Sequence, residues 1–284
     1  MSNNTEFKIH NSNELVTKFR SLIKESNINF QLSDELLMCF IQARKCDLHR
    51  AMKLLNNYFK AMKNYPELLT DLRLERVKHV LVSNHFLLSP LRDQHGHRLA
   101  IFNSLNWDIR VCSLDDMLRT AVFCFQRLVS EQETRSNGVV LIMDFKGFTF
   151  HHFTHVTPSF AKKVADFVQD VLPIRLKGIH VIHEPQVVKF LVAMVWPFLT
   201  NKIRNRLVFH GSCFKTLHHH VKPSCLPIRN RLVFHGSCFK TLHHHVKPSC
   251  LPSNYDGWLG TLDSMNFSRV LFEKEHANIF ECFN

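Results

Sequence analysis

The sequence feature that most constrains the fold is an uninterrupted apolar run, Val139 to Met143, which ends at Asp144. An apolar run without alternation predicts a strand buried on both faces, as in a parallel sheet covered by helices. A helical segment at 158–172 and a second short apolar strand at 178–182 follow it. Strand, helix and strand in this order predict an α/β unit with a mostly parallel sheet.

The same unit is expected to begin near residue 80. A polar stretch at 89–97 precedes a strand candidate at 99–102, and an amphipathic helix is predicted at 114–130. This unit would extend to about residue 257, and the tail at 258–284 carries little pattern.

The N-terminal region predicts a separate, small all-α module at roughly residues 10–75. Residues 12–25 place apolar side chains at helical spacing. Ser33 and Asp47 each stand immediately before a helical pattern, where a short polar side chain can cap the first turn.

A helical segment at 187–196 is apolar on nearly every side. Such a helix is buried, spans a membrane or covers something apolar. The longest uninterrupted apolar run, 190–196, is far shorter than the ~18 residues that a spanning helix needs. The first residues lack the apolar segment of a secretory signal. We therefore expect a protein whose contact with membranes, if any, is peripheral.

The net charge of +12 and the isoelectric point of 9.4 suggest an anionic partner. Part of this excess comes from a tandem repeat, because residues 228–252 repeat residues 203–227 without a change. Each copy carries four basic residues and no acidic residue, so a chain with one copy would have a charge of +8.

The repeat does not predict a solenoid, which needs at least three stacked units. Each copy predicts a strand, a turn and a short helix, at 206–209, Gly211 and 214–221 in the first copy. Because one sheet position accepts one strand, one copy should join the sheet and the other should be an insertion or an extra edge strand. The sequence immediately before the repeat favours the first copy as the one that joins the sheet, and the sequence immediately after the repeat favours the second copy.

Several motifs occur in an order that resembles the CRAL-TRIO family of lipid-binding proteins, in particular the branch of alpha-tocopherol transfer protein, retinaldehyde-binding protein and clavesin. Each motif is weak alone, and the ordered set is specific. The match covers roughly residues 30–257 less one repeat copy. The motifs are Phe40-Ile-Gln-Ala-Arg44, Cys46-Asp-Leu48, Asn57-Tyr-Phe-Lys60, Asn106-Trp-Asp108, Arg135-Ser-Asn-Gly-Val139, Asp144-Phe-Lys-Gly-Phe148, Thr157-Pro158, Lys177-Gly-Ile-His180, Glu184-Pro185, Pro197-Phe-Leu199 and His210-Gly211.

The resemblance implies an α/β lipid-binding bowl with a sheet as its floor and a mobile apolar helix as its lid, preceded by the all-α module. A single hydrophobic molecule would sit inside, held by burial of apolar surface at ~25 cal/mol per Å². An interior filled by the protein's own side chains remains the alternative. The candidates are, for the floor, Val139, Leu141 and Met143; for the walls, Leu118, Ala121, Phe125, Val156, Val164, Phe167, Val168, Ile174 and Ile179; and for the lid, Val188, Leu191, Met194 and Val195.

A basic rim is predicted between residues 173 and 206. Lys202 and Arg206 are four residues apart and would share one helix face. By the same resemblance, Arg44, Arg175, Lys177, Lys202 and Arg206 occupy positions that bind a phosphoinositide headgroup. Several cations around a phosphate make charge-assisted hydrogen bonds. A solvated basic face is the alternative.

Other site types find little support. His151, His152 and His155 have helical spacing, and His218 to His220 form a triplet, but neither group has a nearby carboxylate or thiol ligand. The chain has no glycine-rich phosphate loop, nucleophile elbow or nucleic-acid module. The nine cysteines include no Cys-x-x-Cys pair and are expected to be reduced thiols.

These observations predict a monomeric, soluble, cytoplasmic carrier without catalytic activity, cofactor or metal. It would shield one tocopherol-, retinoid- or isoprenoid-like lipid and deliver it to phosphoinositide-containing endosomal or other internal membranes. The alternative is a phosphoinositide-binding trafficking adaptor whose pocket lipid is regulatory.

Overall fold

The computed structural model describes residues 3–26, 32–211, 217 and 219–221. The second repeat copy, the tail at 258–284 and most of the helix predicted at 214–221 lie outside the described residues. The N-terminal region is helical, as predicted. Its helices are α1 (Asn3–Glu25), α2 (Asp34–Ala43), α3 (Leu48–Asn64), α4 (Pro66–Leu69) and α5 (Leu74–Val82).

Both predicted caps are confirmed. The Ser33 hydroxyl accepts a hydrogen bond from the Leu36 amide at 3.2 Å, and the Asp47 carboxylate accepts one from the Arg50 amide at 3.0 Å. Each bond satisfies an amide that has no partner within its helix. The Asp47 cap fixes the start of α3 and thus the end of the α2–α3 turn, which carries Arg44.

In the described part of the chain, five strands form one sheet in the order β1 to β5. Strands β2 to β5 are parallel and β1 is antiparallel to β2, so the mostly parallel α/β sheet is confirmed. The elements are β1 (Phe86–Arg92), β2 (Arg98–Asn103), α6 (Leu114–Ser130), α7 (Gln132–Asn137), β3 (Val139–Asp144), α8 (Phe150–Thr154), α9 (Pro158–Asp170), β4 (Leu176–Ile182), α10 (Val187–Val195), a 3-10 turn (Trp196–Phe198), α11 (Asn201–Arg204) and β5 (Leu207–Phe209).

Strand β1 at residues 86–92 overlaps the polar stretch at 89–97, and the sequence patterns did not predict it. Its register is irregular between Leu88 and Arg92. Pro90 cannot donate to a ladder, and such residues occur in edge strands. Ser89 is nevertheless fully buried, and its carbonyl accepts a hydrogen bond from Arg98 at 3.1 Å. This segment forms a strand because it pairs with β2, which is a tertiary contact and not a property of its local sequence.

The first repeat copy supplies the edge strand β5. Leu207 pairs with Ile179 and Phe209 pairs with Val181. The sequence immediately before the repeat had favoured the first copy for this position.

The sheet separates two layers of buried side chains. The helix-covered face carries Val139 and Leu141 in a core that also includes α1 to α6 and α9. The opposite face is covered by Leu217 and Val221 of the first repeat copy, which pack with Leu99, Ile101, Val140, Ile142 and Ile182. Alternation along β3 thus places its apolar residues in both layers.

The helical module and the α/β unit share the larger core. Polar contacts also join them: Gln126 donates to the Tyr58 hydroxyl at 3.2 Å, and Lys163 pairs with Glu67 at 3.2 Å. Arg44 and Asp170 form a further pair at 2.9 Å, which links the α2–α3 turn to the end of α9.

Three imidazoles meet on the opposite face of the sheet. His180 Nδ1 lies 2.9 Å from His210 Nε2, and the His220 ring centroid lies 5.0 Å from that of His180. Burial, followed by the nearby His210 and His220, lowers the pKa of His180 to about 4, against a raising effect of Asp93. The folded protein therefore holds His180 neutral.

Acidification is expected to destabilise the protein through this cluster. Because the pKa of His180 is lowered from 6.5 to about 4 by folding, its contribution is complete above pH 6.5 and is lost as the pH falls towards 4. The expected loss in unfolding free energy is about 3 kcal/mol. Urea denaturation at several pH values would measure it. In the His180→Gln variant this part of the pH dependence should disappear, and an unchanged profile would contradict the assignment.

Candidate functional site: a cationic cleft beside an apolar helix

A cleft of about 480 Å³ opens between the α2–α3 turn, the end of α9, the start of β4 and α11. All five residues predicted for headgroup binding line it. Among the described residues the cleft also holds three cations that the sequence analysis did not single out, and one carboxylate, Asp170. The eight cationic residues are Arg44, Lys45, Arg50, Lys53, Arg175, Lys177, Lys202 and Arg206.

Three of the predicted cations are anchored to the protein. Arg44 pairs with Asp170, Arg175 donates to the Gln42 carbonyl, and Arg206 donates to the Leu176 carbonyl. These bonds fix the guanidinium groups as part of the cleft wall. Replacing any of these arginines would disturb local structure as well as remove a charge.

The position of Arg175 depends on Gly138, within the Arg135 to Val139 motif. The φ angle of Gly138 is +94°, and a Cβ there would lie 2.4 Å from the Arg175 carbonyl oxygen. Only glycine accommodates this close approach. Arg135 in turn donates to the Gln42 side chain at 2.9 Å, so the motif ties β3 and β4 to α2.

Lys177 and Lys202 are exposed, and their amines make no hydrogen bond or ion pair within the described part of the chain. Partial burial in the cleft lowers the pKa of Lys202, and Arg206, Arg44 and Arg50 lower it further. Partial burial also lowers the pKa of Lys177, and the positive charge of Arg175 lowers it further. Concentrated positive charge of this kind favours a bound anion with several oxygens.

Lys45, Arg50 and Lys53 are the site residues that sequence reasoning missed. Lys45 lies in the α2–α3 turn with a φ of +55°, and Arg50 and Lys53 are three residues apart on α3. Their spacing is a weak signal for a shared face. Only the packing of α3 beside α9 brings them to the cleft.

The predicted floor, wall and lid residues divide into two groups by exposure. The buried ones are Leu118, Val139, Leu141, Val156, Phe167, Ile179 and Val188. The half-buried ones are Ala121, Phe125, Met143, Val164, Val168, Ile174, Leu191, Met194 and Val195. Val168 and Ile174 line the cationic cleft, so their exposure reflects the cleft and not the interior of the bowl.

Exposure along β3 rises towards its carboxyl end. Val139 is fully buried, Leu141 is 9% exposed and Met143 is half-buried, all on the helix-covered face. Strands β2 and β4 flank β3 on both sides, so solvent reaches Met143 from above the sheet or from its end. The helices therefore do not fully cover this end of the face.

The predicted lid helix α10 is apolar but mostly not buried. Of its residues Val188 alone is buried, whereas Phe190 is 60% exposed. The adjoining 3-10 turn exposes Trp196 and Phe198 by 40% and 36%. Phe190 contacts Phe153 of α8 at a ring distance of 6.2 Å. Exposed apolar surfaces of this kind are often sites of interaction.

The end of this apolar surface is bonded to the cleft. Gln169, which lines the cleft, donates to the Phe198 carbonyl at 3.0 Å and accepts from the Thr200 amide. Arg204 donates to the Trp196 carbonyl at 3.0 Å and lies over the Trp196 ring at 5.1 Å. These contacts connect α11 and the cleft to the segment that follows α10.

The His151 to His155 segment has a structural role at His152. Its ring is stacked on Trp107 with centroids 5.0 Å apart, and its Nε2 lies 2.9 Å from the Trp107 carbonyl oxygen. No group of three metal-ligating side chains occurs within the described residues. In the same part of the chain no helix is both long and apolar enough to cross a membrane.

Residues 83–229 match the family model described as "CRAL/TRIO domain". The chain belongs to the CRAL-TRIO family. The family motifs of the sequence thus predicted both its membership and its fold, and the family is one of lipid-binding and lipid-transfer proteins.

The chain is also similar to curated members of this family. It is 30% identical over 262 residues to the human "Alpha-tocopherol transfer protein-like", covering 92% of this chain and 69% of the relative. The corresponding mouse protein is 32% identical over 254 residues, with coverages of 89% and 67%. Clavesin-1 of Xenopus laevis is 29% identical over 209 residues, with coverages of 72% and 63%.

Among solved structures, Sfh5 has a similar fold, with a TM-score of 0.55 at 13% identity. The similarity covers 78% of this chain and 85% of Sfh5. At this identity the likeness concerns the fold alone.

Proposed function

We propose that this CRAL-TRIO protein is a monomeric cytoplasmic carrier of one hydrophobic molecule of the tocopherol, retinoid or isoprenoid type. The ligand would lie between the sheet and α10, against Met143, Ala121, Phe125 and Val164. The carrier would release it at phosphoinositide-containing endosomal or other internal membranes. The observation that carries the proposal is the apolar surface of α10 and its 3-10 turn, bonded at its end to a cleft of eight cations.

The cationic cleft and the apolar surface of α10 and its 3-10 turn together fit a membrane surface better than either does alone. An anionic headgroup would enter the cleft, where the amines of Lys177 and Lys202 have no partner among the described residues. Phe190, Trp196 and Phe198 would then face the lipid, where burial of their exposed apolar area is favourable. Headgroup contacts to Lys202 would act on α10 through Thr200 and Gln169 and open the lid. No catalytic role is part of the proposal.

Transfer of a fluorescent tocopherol from neutral donor vesicles to acceptor vesicles tests the proposal. We expect transfer to be faster when the acceptors contain phosphatidylinositol bisphosphate, and to slow again at high salt because the attraction is screened. The trafficking adaptor is the other outcome of the same assay. It would bind the acceptor vesicles without accelerating transfer, which would contradict the carrier.

A further inference from the structure

The α8 segment carries two exposed imidazoles that the proposed function does not use. His151 and His155 are exposed, and their ring centroids lie 4.8 Å apart in an edge-to-face arrangement. The Nδ1 atom of His155 also lies 2.8 Å from the His151 carbonyl oxygen. Between them, His152 is buried against Trp107 and anchors the helix. A fixed turn therefore presents the two flanking imidazoles to solvent.

The two imidazoles border an aromatic surface that is continuous with the lid. Phe150, directly before His151, is 62% exposed, and its ring centroid lies 5.7 Å from that of Phe153. Phe153 in turn contacts Phe190 of α10, with ring centroids 6.2 Å apart. This row of rings leads from α8 to the apolar surface that is proposed to face the lipid.

The charged groups around α8 come from the loop after β2 and from α10. In the loop, hydrogen bonds from Arg110 lower the pKa of Asp108 to about 2, and the nearby His151 has a smaller effect in the same direction. Asp108 thus stays negative and favours a charge on His151, whereas Arg110 and His155 oppose it. Helix α10 contacts α8, and its sequence contains one charged residue, Lys189, which is exposed.

We propose that His151 and His155 form a pH-dependent contact with anionic lipid, beside the lid and separate from the cationic cleft. The inference rests on the proposed function, because it takes α10 as the surface that faces the bilayer. Imidazoles change charge between pH 5 and 8, whereas the arginines of the cleft do not. Two protonated imidazoles this close repel each other, and an anionic surface offsets that repulsion. By linkage, lipid binding favours their protonation, and protonation strengthens lipid binding.

An anionic bilayer fits both parts of this surface. The aromatic row from Phe150 to Phe190 supplies apolar area next to the lid, and the imidazoles supply charge at its border. The potential of an anionic leaflet also lowers the pH at its surface by about half a unit relative to bulk solution. The contact would therefore be strongest on the most anionic membranes, so the protein would distinguish membranes by their surface charge.

Sedimentation with vesicles of phosphatidylserine and phosphatidylcholine, which contain no phosphoinositide, tests the inference at pH 7.5 and 5.5. We expect the parent to bind about 10-fold more tightly at pH 5.5, since two cations at an anionic surface correspond to about 30-fold and imidazoles gain most of their charge over this range. His151→Gln/His155→Gln should lose most of this gain. His151→Lys/His155→Lys should bind at pH 7.5 as tightly as the parent does at pH 5.5. The matched control, His95→Gln/His219→Gln, removes two exposed imidazoles outside α8 and should keep the gain.

Three results would overturn the inference: an equal gain in the glutamine variant and the parent, an equal gain on vesicles of phosphatidylcholine alone, or no binding of the parent at either pH. The acid sensitivity of His180 is common to all these variants and cancels in the comparison. Lys177→Ala/Lys202→Ala should retain the ratio of affinities between the two pH values, because the cleft is not involved. Failure of the carrier function would appear separately, as absent tocopherol transfer at pH 7.5 by a protein that keeps this ratio.

Discussion

The Ala121→Trp variant is expected to lose at least nine-tenths of its bound hydrophobic ligand without becoming less stable. Ala121 is a half-buried residue of α6 on the helix-covered side of the sheet. If the space beyond it holds a ligand, an indole ring occupies that space and competes with the ligand. In a filled core the same change would overpack and cost about 1–3 kcal/mol. Extraction and mass spectrometry of lipid from the purified variant would measure the first effect, and urea denaturation the second.

The matched control is Ala193→Trp. Ala193 is an exposed residue of α10, so the same substitution adds its bulk to the outer surface of the lid. This variant should retain the full amount of ligand. Equal loss of ligand from both variants would point to disturbance of the lid, and a destabilised Ala121→Trp variant that binds normally would argue for a filled interior.

The second large effect is expected from the Lys177→Ala/Lys202→Ala double variant, which should bind phosphatidylinositol bisphosphate vesicles about 30-fold more weakly. Each basic residue at an anionic surface contributes ~1 kcal/mol, and two such contributions correspond to this factor. Both amines lack partners within the described residues, so their removal breaks no structural bond. Vesicle sedimentation at 0.1 M salt or below would measure the change.

The Lys78→Ala/Lys146→Ala variant removes the same charge from two exposed positions outside the cleft. It should bind vesicles nearly as well as the parent. If both double variants weaken binding equally, the attraction is a property of the net charge of +12 and not of the cleft.

Local patterns predicted the central elements because their physical causes are local. Val139 to Met143 form a central strand since a run with apolar residues on both sides has to be covered on both faces. Ser33 and Asp47 begin their helices through side chains three residues from the amides they bind. Lys202 and Arg206 both line the cleft, but the prediction of a shared helix face was wrong, because α11 ends at Arg204 and Arg206 lies in the turn before β5.

Tertiary contacts decided what local patterns could not. Strand β1 depends on its pairing with β2, and its own sequence contains Ser89 and Pro90. Lys45 and Lys53 join the cleft only because α3 packs beside α9. Val168 was predicted to be a wall residue of the bowl from the apolar pattern of its helix. Helix α9 has apolar surroundings on two sides, and Val168 lies on the side of the cleft. A pattern of apolar residues identifies a covered face without identifying what covers it.

The intact mass of the protein under native conditions tests the central claim most directly. A protein with a ligand space under α10 should carry one hydrophobic molecule per chain from the cells in which it is made, and lose it on unfolding. The native mass should then exceed the sequence mass of 33.3 kDa by a single small-molecule increment. A native mass equal to the sequence mass, which stays unchanged after incubation with tocopherol, retinoid and isoprenoid lipids, would contradict the account.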